Sequence, residues 1–362
     1  MALILVALSL AYGIPILLVA LGHARIRQKV VSGTPPELTV LVAARNESEH
    51  IEACLRAILA QDIPVHVLVV DDHSDDDTAR RVEAFGERVR LIRLEGSSGK
   101  KAAISEAVHH IHTDWVLLTD ADTLVPPGWA RAMAACMTHD CGYVVGPVRL
   151  QERRGLFHRM IQLEWAGFMG IARGSIGLGR PTSACGSSVA FRVEAFQAVG
   201  GYEGVDHFAS GDDEFLMQRI ADRTRWSVSF CADPGATVEA ESPATASAFV
   251  RQRIRWASKA GHYERLWHVA MNVGIWLFFL LLAIGTVGAF FRPAWLPWVM
   301  TAWGIKMLGE GLLLAQSVWF YRRPWLMLVW IPAQLFHIIY VLALSAAGVR
   351  GGVEWKSRSM TR

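Results

Sequence analysis

The position of its long apolar runs constrains this chain more than any other feature. Residues Met1 to Gly22 carry no charge, and about 20 such residues suffice for a helix to cross a bilayer. Three more apolar stretches close the chain. Val269 to Phe291 is uncharged, Trp295 to Phe320 is interrupted only by Lys306 and Glu310, and Trp325 to Val349 contains Pro332. Trp267, Trp295, Trp298, Trp319, Trp325 and Trp355 crowd the ends of these stretches, as amphipathic rings do at a membrane interface. Hydrophobic residues make up 52% of the chain, and the excess sits at its two ends. The prediction is an integral membrane protein with an anchor at 1–22, a transmembrane region at 268–349 and a basic tail at 350–362.

A cleaved leader is the other reading of the N-terminus, since Ala20-Leu21-Gly22 resembles a small-x-small cleavage site. There is no basic n-region, however, and the run exceeds the roughly 7–15 residues of a leader's apolar segment, so the segment reads as a retained anchor. His23, Arg25, Arg27 and Lys29 follow it directly. The positive-inside rule then places the N-terminus outside and the next domain in the cytoplasm. Arg322 and Arg323 favour the same side. The tail, with Arg350, Lys356, Arg358 and Arg362, prefers the inside, whereas a third full crossing after the domain would put it outside. Either the tail is external or the last stretch does not fully cross. Lys306 and Glu310 are four apart on one helix face and can pair; a functional and a purely structural role for the pair are both open.

The net charge of +3 gives no footprint for nucleic acid. Cys54, Cys136, Cys141, Cys185 and Cys231 are odd in number and lack CxxC spacing, which argues against a disulfide framework or a zinc site and for buried thiols in a reducing compartment.

Between the apolar ends, short β-rich runs alternate with helical ones. Strands are predicted at Leu38–Ala44, Val65–Val70, Val89–Leu94 and Trp115–Leu118. Helices are predicted at 48–61 (with Ser48 as N-cap), 75–85 and 101–111. This alternation predicts an α/β fold with a doubly wound, mostly parallel sheet, whose ligands bind beyond the carboxyl ends of the strands. Acidic pairs fall there: Asp71 and Asp72 after one strand, Asp120 and Asp122 after another. Residues 155–173 differ, with Phe157, Met160, Ile161, Trp165, Phe168 and Met169 at helical spacing. Both a helix lying on the membrane and an ordinary core-facing helix fit that pattern.

Asp120-Ala121-Asp122 can offer two carboxylates to one hard divalent cation, Mg²⁺ or Mn²⁺, which takes oxygen ligands together with substrate phosphates. Asp71-Asp72 can accept hydrogen bonds from a base or ribose, while Ser74 to Asp77 read as capping of the next helix. Gly99-Lys100-Lys101 is a basic, glycine-bearing turn at a helix start, suited to a diphosphate. Asp212-Asp213-Glu214 opens an amphipathic helix; neighbouring carboxylates disfavour one another's charge, which favours a proton-accepting base. Gln252-Arg253-Ile254-Arg255-Trp256 precedes the membrane region. Arg255 can grip a phosphate and Trp256 can stack on a sugar, while Arg251 and Arg253 read as lipid-attracted juxtamembrane charges.

Taken in order, Ala44-Arg45-Asn46-Glu47, Val70-Asp71-Asp72-His73-Ser74-Asp75, Gly99-Lys100, Asp120-Ala121-Asp122, Gly211-Asp212-Asp213 and Gln252-x-x-Arg255-Trp256 resemble the membrane-bound family 2 glycosyltransferases. The resemblance covers roughly residues 38–260, and its last motif is similar to that of processive polysaccharide synthases and ceramide glucosyltransferases. It implies a GT-A catalytic domain at 36–262 and inverting transfer from a nucleotide sugar, a UDP-sugar by expectation, without a covalent intermediate. By position, Glu47, Asp71 and Asp72 would contact the nucleoside, Lys100 the diphosphate, and Asp122 the metal with Asp120 beside it. Asp213 would be the general base, with Asp212 the other carboxylate of the motif. Gln252, Arg255 and Trp256 would close over the diphosphate and the acceptor. The loop Cys185-Gly186-Ser187-Ser188 lacks an asparagine often found there.

The resemblance further implies an acceptor that is a lipid or glycan, and an inner-membrane enzyme with a cytoplasmic active site. A single transfer to a lipid leads. A processive polysaccharide synthase is the alternative within the same chemistry, and product length separates the two. A non-catalytic membrane scaffold with a degenerate domain is the alternative of another class; it needs none of these carboxylates, and full cellular function of an Asp122 mutant would revive it.

Overall fold

The computed structural model describes residues 2–29, 33–206, 208, 210–257, 266–350, 353–355 and 358–360. Met1 of the anchor, residues 258–262 of the predicted catalytic domain, and Lys356 and Arg362 of the predicted tail lie outside the described residues. The chain opens with α1 (Ala2–Arg25). Strands and helices then alternate: β1 (Leu38–Ala44), α2 (Ile51–Leu59), β2 (His66–Asp71), α3 (Thr78–Glu83), β3 (Arg90–Arg93), α4 (Lys100–His109) and β4 (Trp115–Asp120). The order loosens through α5 (Trp129–Ala134), β5 (Cys141–Val145), β6 (Val148–Leu150), the long α6 (Leu156–Gly177), β7 (Val189–Arg192), α7 (Val193–Ala198), α8 (Asp212–Arg223), β8 (Ser227–Phe230) and β9 (Val238–Ala240). Four helices follow: α9 (Ala246–Ala257), α10 (Leu266–Phe291), α11 (Leu296–Phe320) and α12 (Trp330–Arg350).

These elements form two compact units. One comprises Ile26–Gln151, Ser175–Ser242 and Glu354–Arg362; the other comprises Met1–Arg25, Glu152–Gly174 and Pro243–Val353. Glu152–Gly174 and the residues from Pro243 therefore group with the helical ends, whereas the sequence predicts one continuous domain over 36–262.

The first unit is built on a seven-stranded sheet of order β3-β2-β1-β4-β7-β5-β8. β3, β2, β1 and β4 are parallel, and β7 enters antiparallel to both β4 and β5. β1 and β4 are apolar on both faces and almost wholly buried, as strands covered by helices on either side must be. Register decides what this sheet can do. Ala44 of β1 pairs with Asp71 of β2, and Ala43 pairs with Asp120 of β4. Two carboxylates thus flank the carboxyl end of β1, between the strands where the sheet order reverses and ligands bind. Because β7 runs antiparallel to β4, the loop that precedes it returns to the same end.

One predicted cap moves, and the other falls within the predicted Ser74–Asp77 run. α2 begins at Ile51 with no side-chain cap, and the Ser48 amide instead donates to Asp76 Oδ2 at 3.1 Å. At α3 it is Asp76 that accepts from the Thr78 amide, at 3.0 Å. Burial alone would raise the Asp76 pKa, but the bonds from Thr78 and Ser48 hold it down at about 2.

In the helical unit, three helices among the described residues are long and apolar enough to cross a membrane, within Leu3–Arg25, Leu266–Phe291 and Pro324–Leu344. The predicted apolar stretch at Trp295–Phe320 forms α11 but is not among these three. Its polarity is buried within the unit. Lys306 is wholly buried and pairs with Glu310 at 2.8 Å. Tyr12 of α1 donates to Glu310, and Lys306 donates to Gln334 of α12, so one polar network ties three helices. Glycines let them approach: a Cβ on Gly13 would lie 2.4 Å from Ile305, and one on Gly174 only 2.2 Å from the Val19 carbonyl. Small residues in such places allow close backbone contact between apolar helices.

α6 packs closely against its neighbours in the helical unit. Ile161, Leu163, Trp165, Ala166, Met169 and Ala172 are buried, Gly170 meets Ser317 of α11, and Glu164 pairs with Arg253 of α9 at 2.5 Å. A helix covered around most of its circumference is a core element rather than a surface one. Arg253 is therefore held inside the unit, its guanidinium 4.4 Å from the Trp256 ring centre, and is not the lipid-facing charge predicted from sequence.

Lys306→Met should expose the cost of the buried pair, because Glu310 would be left without its cation, a loss of about 3–5 kcal/mol. The melting temperature of the detergent-solubilised chain should fall markedly in the single variant and recover in part when Glu310→Leu is added. Equal melting of wild type and single variant would contradict this account of the network.

Candidate active site

The site assembles at the carboxyl ends of β1, β2 and β4. After β1, Arg45 is buried and its Nη1 donates to the carbonyls of Asp72 at 2.7 Å and His73 at 3.2 Å. Asn46 Oδ1 accepts from the Asp75 amide at 2.8 Å, and the Glu47 amide donates to Thr78 Oγ1 at 2.8 Å. The loops that follow β1 and β2 are thereby knitted together. Both contain a non-glycine residue in the left-handed region, Asn46 (φ 50°) and His73 (φ 56°), a conformation held only where surrounding bonds enforce it.

Asp71 and Asp72 are both buried but differ in what they offer. Asp72 Oδ2 accepts from the Gly99 amide at 3.0 Å, and its Oδ1 lies 3.0 Å from His73 Nδ1. Gly99 (φ 101°) can make that turn because it has no side chain. Asp71 Oδ2 accepts from the Ser74 amide at 3.4 Å, whereas its buried Oδ1 has no hydrogen-bond partner among the described residues. An unsatisfied buried acceptor costs free energy unless a donor reaches it, and a ribose hydroxyl or base N–H has that chemistry. Glu47 lies near, 3.3 Å from His50.

Lys100, the first residue of α4, forms the centre. Its Nζ lies 2.6 Å from Asp120 Oδ1 and 3.0 Å from Asp212 Oδ2. Burial alone would lower its pKa, but Asp120 and Asp212, with Asp213 beyond them, raise it well above the ordinary lysine value. Asp120 Oδ2 accepts from Ser187 Oγ at 2.6 Å. Asp213 is fixed by two amides, Gly186 N to Oδ2 and Glu214 N to Oδ1, each at 2.8 Å. Tyr202 donates to the Asp212 carbonyl at 2.9 Å and Tyr143 to that of Asp213 at 3.1 Å, which pins the first turn of α8. Both phenols are pushed up by burial and by the neighbouring aspartates and so remain donors. A Cβ at Gly186 would stand 2.8 Å from the Lys100 ammonium, so a side chain there would push the lysine out of its place between the aspartates. The Cys185 thiol is pushed up to about 12 by burial and then by Asp213, so it is neutral and no nucleophile.

Three aspartates thus act on one lysine, and the excess negative charge calls for a cation. Asp122, half-buried beside Thr123, and Asp120 are the donors the sequence predicts. Among the described residues no group of three or more His, Cys, Asp or Glu side chains converges as a closed metal cage. One or two carboxylates completed by phosphate and water is the manner in which Mg²⁺ is usually held, and this donor set fits it.

The structure therefore brings together Lys100, Asp120, Asp212 and Asp213, with Asp71 and Asp72 on the adjacent strand end. Gln252, Arg255 and Trp256 lie on α9 in the helical unit, where Trp256 stacks on Phe168 with ring centres 6.1 Å apart. Arg45, Gly186 and Ser187 were not predicted as site residues. Lys101, read from sequence as part of the diphosphate turn, is instead buried and donates to the carbonyls of Val205, Phe208 and Ser210 at 2.6, 3.0 and 3.0 Å. It organises the approach to α8.

A parallel sheet with an antiparallel insertion, acidic strand ends and a lysine at a helix start define a GT-A fold, and comparison with known proteins agrees. The chain belongs to the family described as glycosyltransferase like family 2, whose model matches residues 35–259. A mannosyltransferase from Pyrobaculum calidifontis, solved in complex with GDP-Man and Mn²⁺, shares the fold with a TM-score of 0.59 at 19% identity, covering 96% of this chain and 99% of that one. The poly-beta-1,6-N-acetyl-D-glucosamine synthase of Staphylococcus aureus (strain COL) is 27% identical over 236 residues, 62% of this chain and 54% of the relative. That of Staphylococcus epidermidis is 24% identical over the same length. The chain spans about half the length of these curated relatives.

Replacing Lys101 by methionine should lower stability rather than remove a ligand contact. Loss of a charged donor from three carbonyls should cost on the order of 3 kcal/mol, read as a lower melting temperature, while the nucleotide affinity of the folded fraction is retained. Unchanged melting with lost affinity would instead place Lys101 at the ligand.

Proposed function

We propose that the chain is an inverting glycosyltransferase that moves a sugar from a nucleotide sugar, a UDP-sugar in the first instance, to the hydroxyl of a membrane lipid at the cytoplasmic leaflet of the cell's inner membrane. The ring of aspartates around Lys100, at the carboxyl ends of parallel strands, carries this reading. The acceptor oxygen bonds to the anomeric carbon as the bond from that carbon to the diphosphate oxygen breaks. The acceptor proton passes to Asp213, and the diphosphate leaves with the electron pair. Asp213 suits the role because two amides fix the orientation of its carboxylate. Lys100 meets the charge that grows on the diphosphate. Asp71, with its open acceptor, takes the nucleoside together with Glu47 and Asp72. Asp122 and Asp120 would hold Mg²⁺ or Mn²⁺, which when bound neutralises the leaving diphosphate.

The membrane acceptor is supported by the helices long and apolar enough to span a bilayer. The cytoplasmic orientation rests on the basic cluster from His23 to Lys29. A second reading, a processive polysaccharide synthase, is favoured by the names of the curated relatives. The mannosyltransferase with GDP-Man puts GDP-sugars beside UDP-sugars as donors to be tried.

The experiment is nucleotide release from a panel of UDP- and GDP-sugars by purified protein in native lipid, with Mg²⁺, with Mn²⁺ or with chelator, beside Asp213→Asn. Metal-dependent release should fall by roughly 10²–10⁴-fold in the variant. Products separated on a gel should carry one sugar; a ladder would establish the processive reading. No release from any donor, even with added lipid extract, would sink the transferase mechanism.

A further inference from the structure

The helical unit contains a cavity of about 240 Å³ bounded by α1, α6, α11 and α12, many times the roughly 10–15 Å³ that one water needs. Much of its wall is apolar, with Leu163, Ile171, Leu313 and Phe336 among the lining side chains, but Glu164, Glu310, Tyr12, Tyr340 and His337 also face it. The polar groups are arranged in one pattern. Glu310 is bonded to Lys306 and Tyr12, and Glu164 to Arg253 and Tyr340. Each carboxylate thus has one cation and one phenol, and both cations lie behind the wall: no lysine or arginine is among the described residues that line the cavity. The polar part of the wall is charge-matched, and Gln334 and His337 face the cavity beside it.

That complement selects a ligand class. An anionic head group would lose its hydration against a wall that offers it no lysine or arginine, because both cations are already matched by Glu310 and Glu164. A cationic head would lose its hydration for carboxylates whose charge is already matched. A neutral head bearing hydroxyls can donate to carboxylate oxygens and accept from the Gln334 amide without desolvating a charge. The apolar walls and the exposed Ile331, Leu335 and Ile339 of α12 suit hydrocarbon chains beside it. We infer that this cavity binds the head group of a neutral, hydroxyl-bearing lipid. The inference concerns binding and stands apart from the transferase reading, since it uses no residue of the aspartate and lysine cluster.

The test is photo-crosslinking of the full chain in nanodiscs with a photoactivatable diacylglycerol and with a phosphatidic acid of the same chains. Diacylglycerol should label peptides spanning 160–171 or 310–340, with a preference of about tenfold or more over phosphatidic acid. Filling the cavity with Ile171→Phe should cut that labelling by about fivefold or more, whereas Ile14→Phe, on an exposed face of α1, should leave it unchanged. Labelling spread evenly along the helices, a preference for phosphatidic acid, or equal labelling of the two variants would overturn the proposal. The wild-type peptide map and head-group preference decide it even if Ile171→Phe fails to fold.

Discussion

The lysine at the start of α4 is the interaction on which the candidate site depends. Lys100 lies 2.6 Å from Asp120 and 3.0 Å from Asp212, residues that come from β4 and α8, more than ninety positions apart in sequence. A half-buried cation between two carboxylates holds all three charges together, and removing the lysine leaves the aspartates facing one another. The surrounding bonds serve this centre. Asp72 caps the Gly99 turn that delivers Lys100, Ser187 holds the second oxygen of Asp120, and Lys101, facing away, binds the carbonyls that lead into α8. Tyr143 and Tyr202 fix the first turn of α8, so Asp212 and Asp213 diverge, one toward the lysine and the other toward the Gly186 amide.

The helical unit applies the same physics in an apolar setting. Charges that are expensive to bury appear there in matched sets: Lys306 with Glu310 and Arg253 with Glu164, each carboxylate completed by a tyrosine. The sets join α1 to α11 and α12, and α6 to α9 and α12. Between them glycines substitute backbone contact for side-chain volume. The result is a helical unit in which these matched charges face its own interior.

Much of the sheet was legible because its period is local. β1 coincides with the predicted Leu38–Ala44, and β2, β3 and β4 fall within two residues of prediction at each end. The acidic strand ends followed from the rule that ligands of such sheets bind there. The Cys185–Ser188 loop was singled out by the resemblance, but the contacts of Gly186 with Asp213 and of Ser187 with Asp120 depend on β7 running antiparallel to β4, a long-range pairing with no sequence period. Lys100 and Lys101 are adjacent and chemically alike; only the helical turn that points one at Asp120 and the other at the Val205 carbonyl separates them. Ser48 was misread as a cap because the helix begins only at Ile51, while the Ser48 amide is taken by the Asp76 carboxylate 28 residues away. Arg253 looked like a lipid-facing charge because its partner Glu164 lies 89 residues back on another helix.

Nucleotide binding by Lys100→Met tests the central claim most directly, because it isolates the lysine from the chemical step. Affinities for UDP and GDP would be measured with Mn²⁺, for wild type and variant in nanodiscs, alongside melting curves to confirm folding. If the aspartate-held ammonium is the diphosphate contact, the variant should lose about tenfold or more in affinity for whichever nucleotide the wild type binds, the worth of one charge-assisted hydrogen bond. Equal affinity in a folded variant, or no binding of either nucleotide by wild type, would contradict the account.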